Sequence, residues 1–179
     1  MRKLWVLIFL VTLSASAQAE ATARKDWVSY LFKCTGKTCT INENGGGLLW
    51  TFELAAKQAL ARKLKVRING KCSSGCVVFA SRVWKYACVT PNAKMGVHKG
   101  RYVQLFDPAG VQLDLGIESN VEKYMSPPQG YRVVGLGYFD VDYGKDINVW
   151  AKKHNKMPAS TDVYVMTHEE ALQFWRPCL

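Results

Sequence analysis

The most regular hydrophobic pattern runs from Leu48 to Leu64, where Leu49, Phe52, Leu54, Ala56, Ala59 and Leu60 recur at three-to-four-residue spacing among Ala, Lys and Arg. That period predicts an amphipathic helix. Upstream, the pattern predicts a short helix over Asp26 to Lys33 and a strand over Lys37 to Asn42, ending in a turn at Asn42 to Gly47. Downstream it predicts a strand from Leu64 to Ile68 and a helix from Val77 to about Trp84. Two more strands follow, Ala87 to Thr90 and Lys94 to His98, with a turn at Pro91-Asn92 between them. Strand, helix, strand, helix is the pattern of β-α-β crossovers, so the expected class is α/β, a largely parallel sheet covered by helices. Beyond Gly100 the pattern weakens. It predicts helices over Gly116 to Met125 and Asp146 to Lys153, separated by a break at Ser126-Pro-Pro-Gln-Gly130. A strand over Val163 to Met166 comes next, then an N-capped helix start at Thr167, with Glu170 three residues on. Tyr138 to Tyr143 reads as a surface strand or loop, and Trp27, Trp50, Trp84, Trp150 and Trp175 as core.

The N-terminus has the three parts of an export signal. Arg2 and Lys3 are followed by the apolar run Leu4 to Leu13 and by Ala17-Gln18-Ala19, a small-x-small cleavage site. The apolar run is too short to span a bilayer, so no transmembrane segment is expected once residues 1–19 are removed. Residues 20–179 then read as one domain, without repeats or linkers. The periplasm is the expected destination, with the extracellular space as the alternative. Cysteine usage agrees with export: an even six (Cys34, Cys39, Cys72, Cys76, Cys88 and Cys178) reads as disulfides in an oxidising compartment. Cys34 and Cys39 bracket a turn and suit a local bridge. The other four allow three pairings; one of these joins Cys72 to Cys76 and Cys88 to Cys178.

Loss of Arg2 and Lys3 lowers the formal charge of +10 by two, and the remainder is unevenly spread. Leu54 to Phe106 contains no Asp or Glu but eleven Lys and Arg. Such a run is ordinarily a solvated face; its functional reading is attraction to an anionic partner of the cell envelope. Nucleic acid is not expected, because no basic motif with interleaved aromatics is present. Gly45-Gly46-Gly47 lacks the Gly-Lys-Ser/Thr of a nucleotide loop. Cys72, Cys76, Cys88 and His98 have loose spacing for zinc. The expected cofactor and metal content is therefore none, and the sequence carries no statement of oligomeric state.

The chemistry concentrates in Gly70-Lys-Cys-Ser-Ser-Gly-Cys76 and Gly96-Val-His98. A serine at a strand-to-helix turn exposes its hydroxyl beside backbone N–H groups that stabilise an oxyanion. A histidine on the next strand supplies a base.

Taken together, Ile41-Asn-x-x-Gly-Gly46, the following helix and strand, Gly-x-x-x-Ser74 and Pro91-Asn-Ala-x-x-Gly-Val-His98 resemble the proteolytic subunit of Clp protease. The match is closer still to exported Clp/crotonase-fold proteins with a Cys-x-Ser-x-Cys motif. The resemblance covers about Ile41 to Gly100. It implies a reduced Clp/crotonase-like sheet and an exported, peptidase-like serine hydrolase acting on a peptide or other acyl bond. Ser74 would be its nucleophile and His98 its base, with an oxyanion hole from the N–H groups of Gly45, Gly46 and Gly75. The family's catalytic aspartate falls at Val163, one residue past Asp162. Asp162 is the candidate acid, with Asp140, Asp142 and Asp146 as the other carboxylates. The competing reading is a catalytically inactive scaffold that binds an anionic envelope partner.

Overall fold

Along the strand Lys65–Ser73, Lys65 and Arg67 are exposed while Val66 and Ile68 are buried. That period of two gives the central sheet one apolar and one polar face. A computed structural model of the chain describes residues 25–106, 109–110, 112–117, 132–158 and 162–179. The expected export signal lies outside these residues.

In chain order the helices are α1 (Trp27–Leu31), α2 (Leu49–Ala61), α3 (Gly75–Arg82), α4 (Lys145–Lys153) and α5 (His168–Ala171). The strands are β1 (Lys33–Thr35), β2 (Thr38–Asn44), β3 (Lys65–Ser73), β4 (Ala87–Val89), β5 (Lys94–Val97), β6 (Gly100–Phe106), β7 (Gln112–Ile117), β8 (Arg132–Phe139), β9 (Tyr164–Val165) and β10 (Arg176–Pro177). The larger sheet runs β1-β2-β3-β4-β10, and β5 and β9 extend it from the far end of β3. Its β2–β3, β3–β4, β3–β5 and β4–β10 pairings are parallel; only β1–β2 and β5–β9 are antiparallel. The α/β class with a mostly parallel sheet follows. Strand β3 changes partner midway: Val66 to Ile68 pair with β4, and Lys71 to Ser73 pair with β5.

One expectation is corrected beyond Gly100. A separate antiparallel sheet, β7-β6-β8, occupies part of that region. Gly116 and Ile117, expected to open a helix, instead end β7, because cross-strand pairing with β6 overrides local propensity. The rest of that predicted helix, and the break at 126–130, lie outside the described residues.

The apolar face of the large sheet is covered by α2 and α3. Phe52, Ala55, Ala56 and Ala59 from α2 and Val77, Val78, Phe79 and Ala80 from α3 are buried with Ile41, Val66, Ile68 and Val89. Helix α2 closes in a Schellman turn: Leu64 N–H donates to Ala59 C=O and Lys63 N–H to Leu60 C=O, with Lys63 at φ +50°. Helix α5 is capped as its sequence predicts, Thr167 and Glu170 bonding each other's backbone N–H. Trp27, Trp150 and Trp175 are core residues, but Trp50 and Trp84 are more than half exposed, against expectation.

Three disulfides cross-link the fold: Cys34–Cys39, Cys72–Cys76 and Cys88–Cys178. They fit an oxidising compartment, and they occupy the cysteines that a zinc reading would need. Among the described residues no helix is long and apolar enough to cross a membrane.

Arg82 at the end of α3 ties three segments together. Its guanidinium contacts Glu53 of α2 at 3.0 Å and the Asp142 carboxylate at 2.9 Å. The Gly144 N–H, and then Arg82, hold the Asp142 carboxyl below its ordinary range, against the opposing effect of burial. Asp26 is lowered in the same way, first by the Ser29 hydroxyl. A depressed carboxylate stabilises the fold above its unfolded-state pKa of about 3.9 and ceases to do so as pH falls through the folded value. Thermal melts from pH 6 to 2.5 are therefore expected to show a midpoint that drops below about pH 4. Asp142→Asn should flatten part of that drop. Arg82→Ala is expected to cost about 1–2 kcal/mol at neutral pH, since it unpairs Glu53 and Asp142 together.

Candidate functional site

Ser74 is the residue between β3 and α3, and its backbone is in an unusual state. It has φ +55° and ψ −123°, a conformation that L-residues with a Cβ seldom adopt. Holding a serine there costs about 1–3 kcal/mol, and such outliers concentrate at functional sites. The surroundings impose the conformation. Ser74 N–H donates to Gly96 C=O at 2.9 Å, anchoring the turn to β5. Ser74 C=O accepts from Val77 N–H at 2.8 Å and Val78 N–H at 3.2 Å, which starts the helix. The Cys72–Cys76 disulfide closes around the turn from both sides. The Ser74 hydroxyl forms no capping bond to α3, so the turn does not use it as an N-cap.

The glycines flanking this turn are required by close approach. A Cβ on Gly46, at φ +93°, would lie 2.5 Å from Ser74 Cβ and 2.8 Å from the Ser73 carbonyl oxygen. The β2–α2 loop is thus pressed directly onto the serine turn. A Cβ on Gly75 would lie 2.5 Å from the Phe52 ring. Gly75 opens α3, where first-turn N–H groups have no acceptor within the helix. Of the three expected oxyanion donors, Gly46 is engaged in this arrangement: its N–H donates to Asn44 Oδ1 at 3.0 Å. A Cβ on Gly45 would meet open space.

His98 follows β5, two residues beyond the carbonyl that anchors Ser74. It is 5% exposed. Its Nδ1 lies 2.6 Å from the Lys99 carbonyl oxygen. A carbonyl has no proton to give, so Nδ1 carries the hydrogen, and in the neutral ring the lone pair is then on Nε2. That is the tautomer a general base needs. The histidine's main chain is held by Tyr143: the His98 N–H donates to the phenol oxygen at 3.2 Å, and the phenol donates to His98 C=O at 2.9 Å.

Tyr143 and Lys99 were not legible as site residues. The sequence pattern places Tyr143 on the surface, yet Val141 and Tyr143 are both fully buried while Asp140 and Asp142 are exposed. The alternation Asp140-Val-Asp-Tyr143 carries that signal. The Lys99 contribution is a main-chain carbonyl and leaves no trace in residue type. Asp162 is exposed and sits two residues before Tyr164, which opens β9. Strand β9 pairs with β5 through Gly96↔Val165 and Val97↔Tyr164, which brings the Asp162 segment alongside the end of β5.

Ser74 itself is 1% exposed. A cavity of about 400 Å³ opens elsewhere, lined by Trp84, Tyr143, Ile147, Phe174 and Trp175. No protein-family model, no curated protein and no solved structure matches the chain. The functional reading therefore rests on this geometry.

Proposed function

We propose that the chain is an exported serine hydrolase, with a reduced Clp/crotonase-like fold and a periplasmic site of action, that cleaves a peptide or other acyl bond. The observation that carries this reading is the left-handed backbone of Ser74, clamped by a disulfide at a strand–helix junction. In the proposed mechanism Ser74 Oγ attacks the acyl carbonyl and its proton passes to His98 Nε2. The imidazolium so formed is stabilised at Nδ1–H by the Lys99 carbonyl. The Gly75 N–H supports the oxyanion at the start of α3, and Gly46 joins when its bond to Asn44 opens. The leaving group then takes the proton from His98, and water repeats the sequence in reverse.

The test is turnover of short-chain nitrophenyl esters by the oxidised protein without residues 1–19. Activity should be lost in Ser74→Ala and in His98→Ala. Activity unchanged in either variant contradicts the assignment.

The Lys99 carbonyl already orients the imidazole, so Asp162 is expected to be secondary. Asp162→Asn should retain activity to within about tenfold, whereas an essential orienting carboxylate would cost about 10⁴-fold. Comparing kcat for the two proteins decides this.

The near-complete burial of Ser74 favours a second reading, a catalytically silent scaffold that binds through its surface. On that reading no variant at Ser74 or His98 changes any hydrolytic rate above background.

A further inference from the structure

The polar face of the large sheet carries a row of cations that exists only across strands. In register, Lys33 on β1 faces Thr40 on β2, Thr40 faces Arg67 on β3, Arg67 faces Cys88 on β4, and Cys88 faces Arg176 on β10. Registered partners share a sheet face, so Lys33, Arg67 and Arg176 stand in one line at every second strand. Strands lie about 4.8 Å apart, so the charges recur about every 10 Å over roughly 19 Å. Lys65, two residues before Arg67, lies on the same face, in register with Thr38. All four cations are exposed. None of them forms an ion pair among the described residues, whereas Arg62, Lys71, Arg82 and Lys152 each contact a carboxylate.

Between these charges lie Thr40 and Cys88, the latter bridged to Cys178, while Tyr30 and Glu43 share a cleft with Lys33 at one end and Trp84 shares one with Arg176 at the other. The neighbouring rows are Thr35, Thr38 and Lys65 on one side and Asn42, Asn69 and Thr90 on the other. Asn69 there donates to Asn42 at 3.1 Å and accepts from the Thr90 hydroxyl at 3.0 Å. These rows contain no acid. They also contain no aromatic ring on which a base could stack, and no large apolar side chain that could enter a bilayer.

We propose that this face is a binding site for a linear anionic polysaccharide, one whose carboxylates recur on alternate sugars and whose hydroxyls meet the intervening threonines and asparagines. The site is separate from Ser74 and does not depend on hydrolysis.

The test is direct titration of the oxidised protein lacking residues 1–19 with hyaluronan oligosaccharides, in which every second sugar carries a carboxylate. Neutral dextran is the control, and the titration is repeated over a range of salt. Hyaluronan should bind at low salt and weaken as salt rises, while dextran does not bind. Arg67→Glu, at the centre of the row, should weaken binding by about tenfold or more, because a contact attraction becomes a repulsion. Lys57→Glu makes the same charge change on the exposed side of α2 and should alter binding by less than about twofold, since it lies outside the row. Circular dichroism shows whether both variants are folded. The proposal is overturned by absence of hyaluronan binding at low salt, or by equal losses in Arg67→Glu and Lys57→Glu. It is also overturned if single-stranded DNA or anionic vesicles bind this row more tightly than hyaluronan, which would assign the face to those partners.

Discussion

Replacing Ser74 by glycine is expected to abolish acyl transfer and at the same time raise the stability of the fold. Loss of a serine nucleophile removes about 10⁶-fold in kcat where the hydroxyl forms the covalent intermediate. The gain in stability has a separate origin. At φ +55° and ψ −123° the Cβ of Ser74 is strained against its own backbone, and glycine has no Cβ. Relief of about 1–3 kcal/mol is partly offset by glycine's larger unfolded-state entropy, roughly 0.5–1 kcal/mol. The expected net gain is about 1 kcal/mol, a rise of a few degrees in Tm. Ser74→Ala separates the two effects: it keeps the Cβ and hence the strain, so it should lose activity without the gain. If Ser74→Gly is less stable than the parent, the turn is not strained, and the main argument for its function falls with it.

The largest effect on stability alone is expected from opening Cys88–Cys178. These cysteines are 90 residues apart in sequence. A closed loop of that length restricts the unfolded chain by about 4–5 kcal/mol, against about 2 kcal/mol for a loop as short as that of Cys34–Cys39. The bridge also holds β10 in place beside β4, where Cys178 N–H donates to Val89 C=O at 2.9 Å. On the core side of the same segment, Trp175 Nε1 donates to Ala80 C=O at 3.1 Å. Replacing both cysteines by alanine should therefore loosen the C-terminal segment as well as lower the denaturation midpoint. Urea titration of the Cys88→Ala/Cys178→Ala and Cys34→Ala/Cys39→Ala proteins tests the order. A larger loss in the second protein would contradict it.

The features legible in the sequence are those that local spacing controls. The period of Leu49 to Leu60 marked α2, Thr167 and Glu170 marked the capping box, and the Gly-flanked Ser74 between an apolar strand and helix marked the turn. Cysteine spacing allowed the observed bridges without selecting them. What stayed hidden depends on partners distant in sequence. Tyr143 acts on His98 from 45 residues away. Strand β10 is two residues long and exists because β4 accepts it. The helix predicted at Gly116 gave way to pairing with β6. The basic segment from Leu54 to Phe106 is a further case. Arg62, Lys71 and Arg82 in it are matched to acids at Asp26, Glu43 and Glu53. The unmatched row on the sheet draws Lys33 and Arg176 from outside the segment altogether.

The central claim is that Ser74 is activated by His98, and covalent labelling tests it most directly. The oxidised protein without its first 19 residues is treated with a fluorophosphonate, and the adduct is located by mass spectrometry of the peptides. The account predicts one adduct, on Ser74, that is absent in both Ser74→Ala and His98→Ala. A folded protein that acquires no adduct, or acquires it equally without His98, would contradict it.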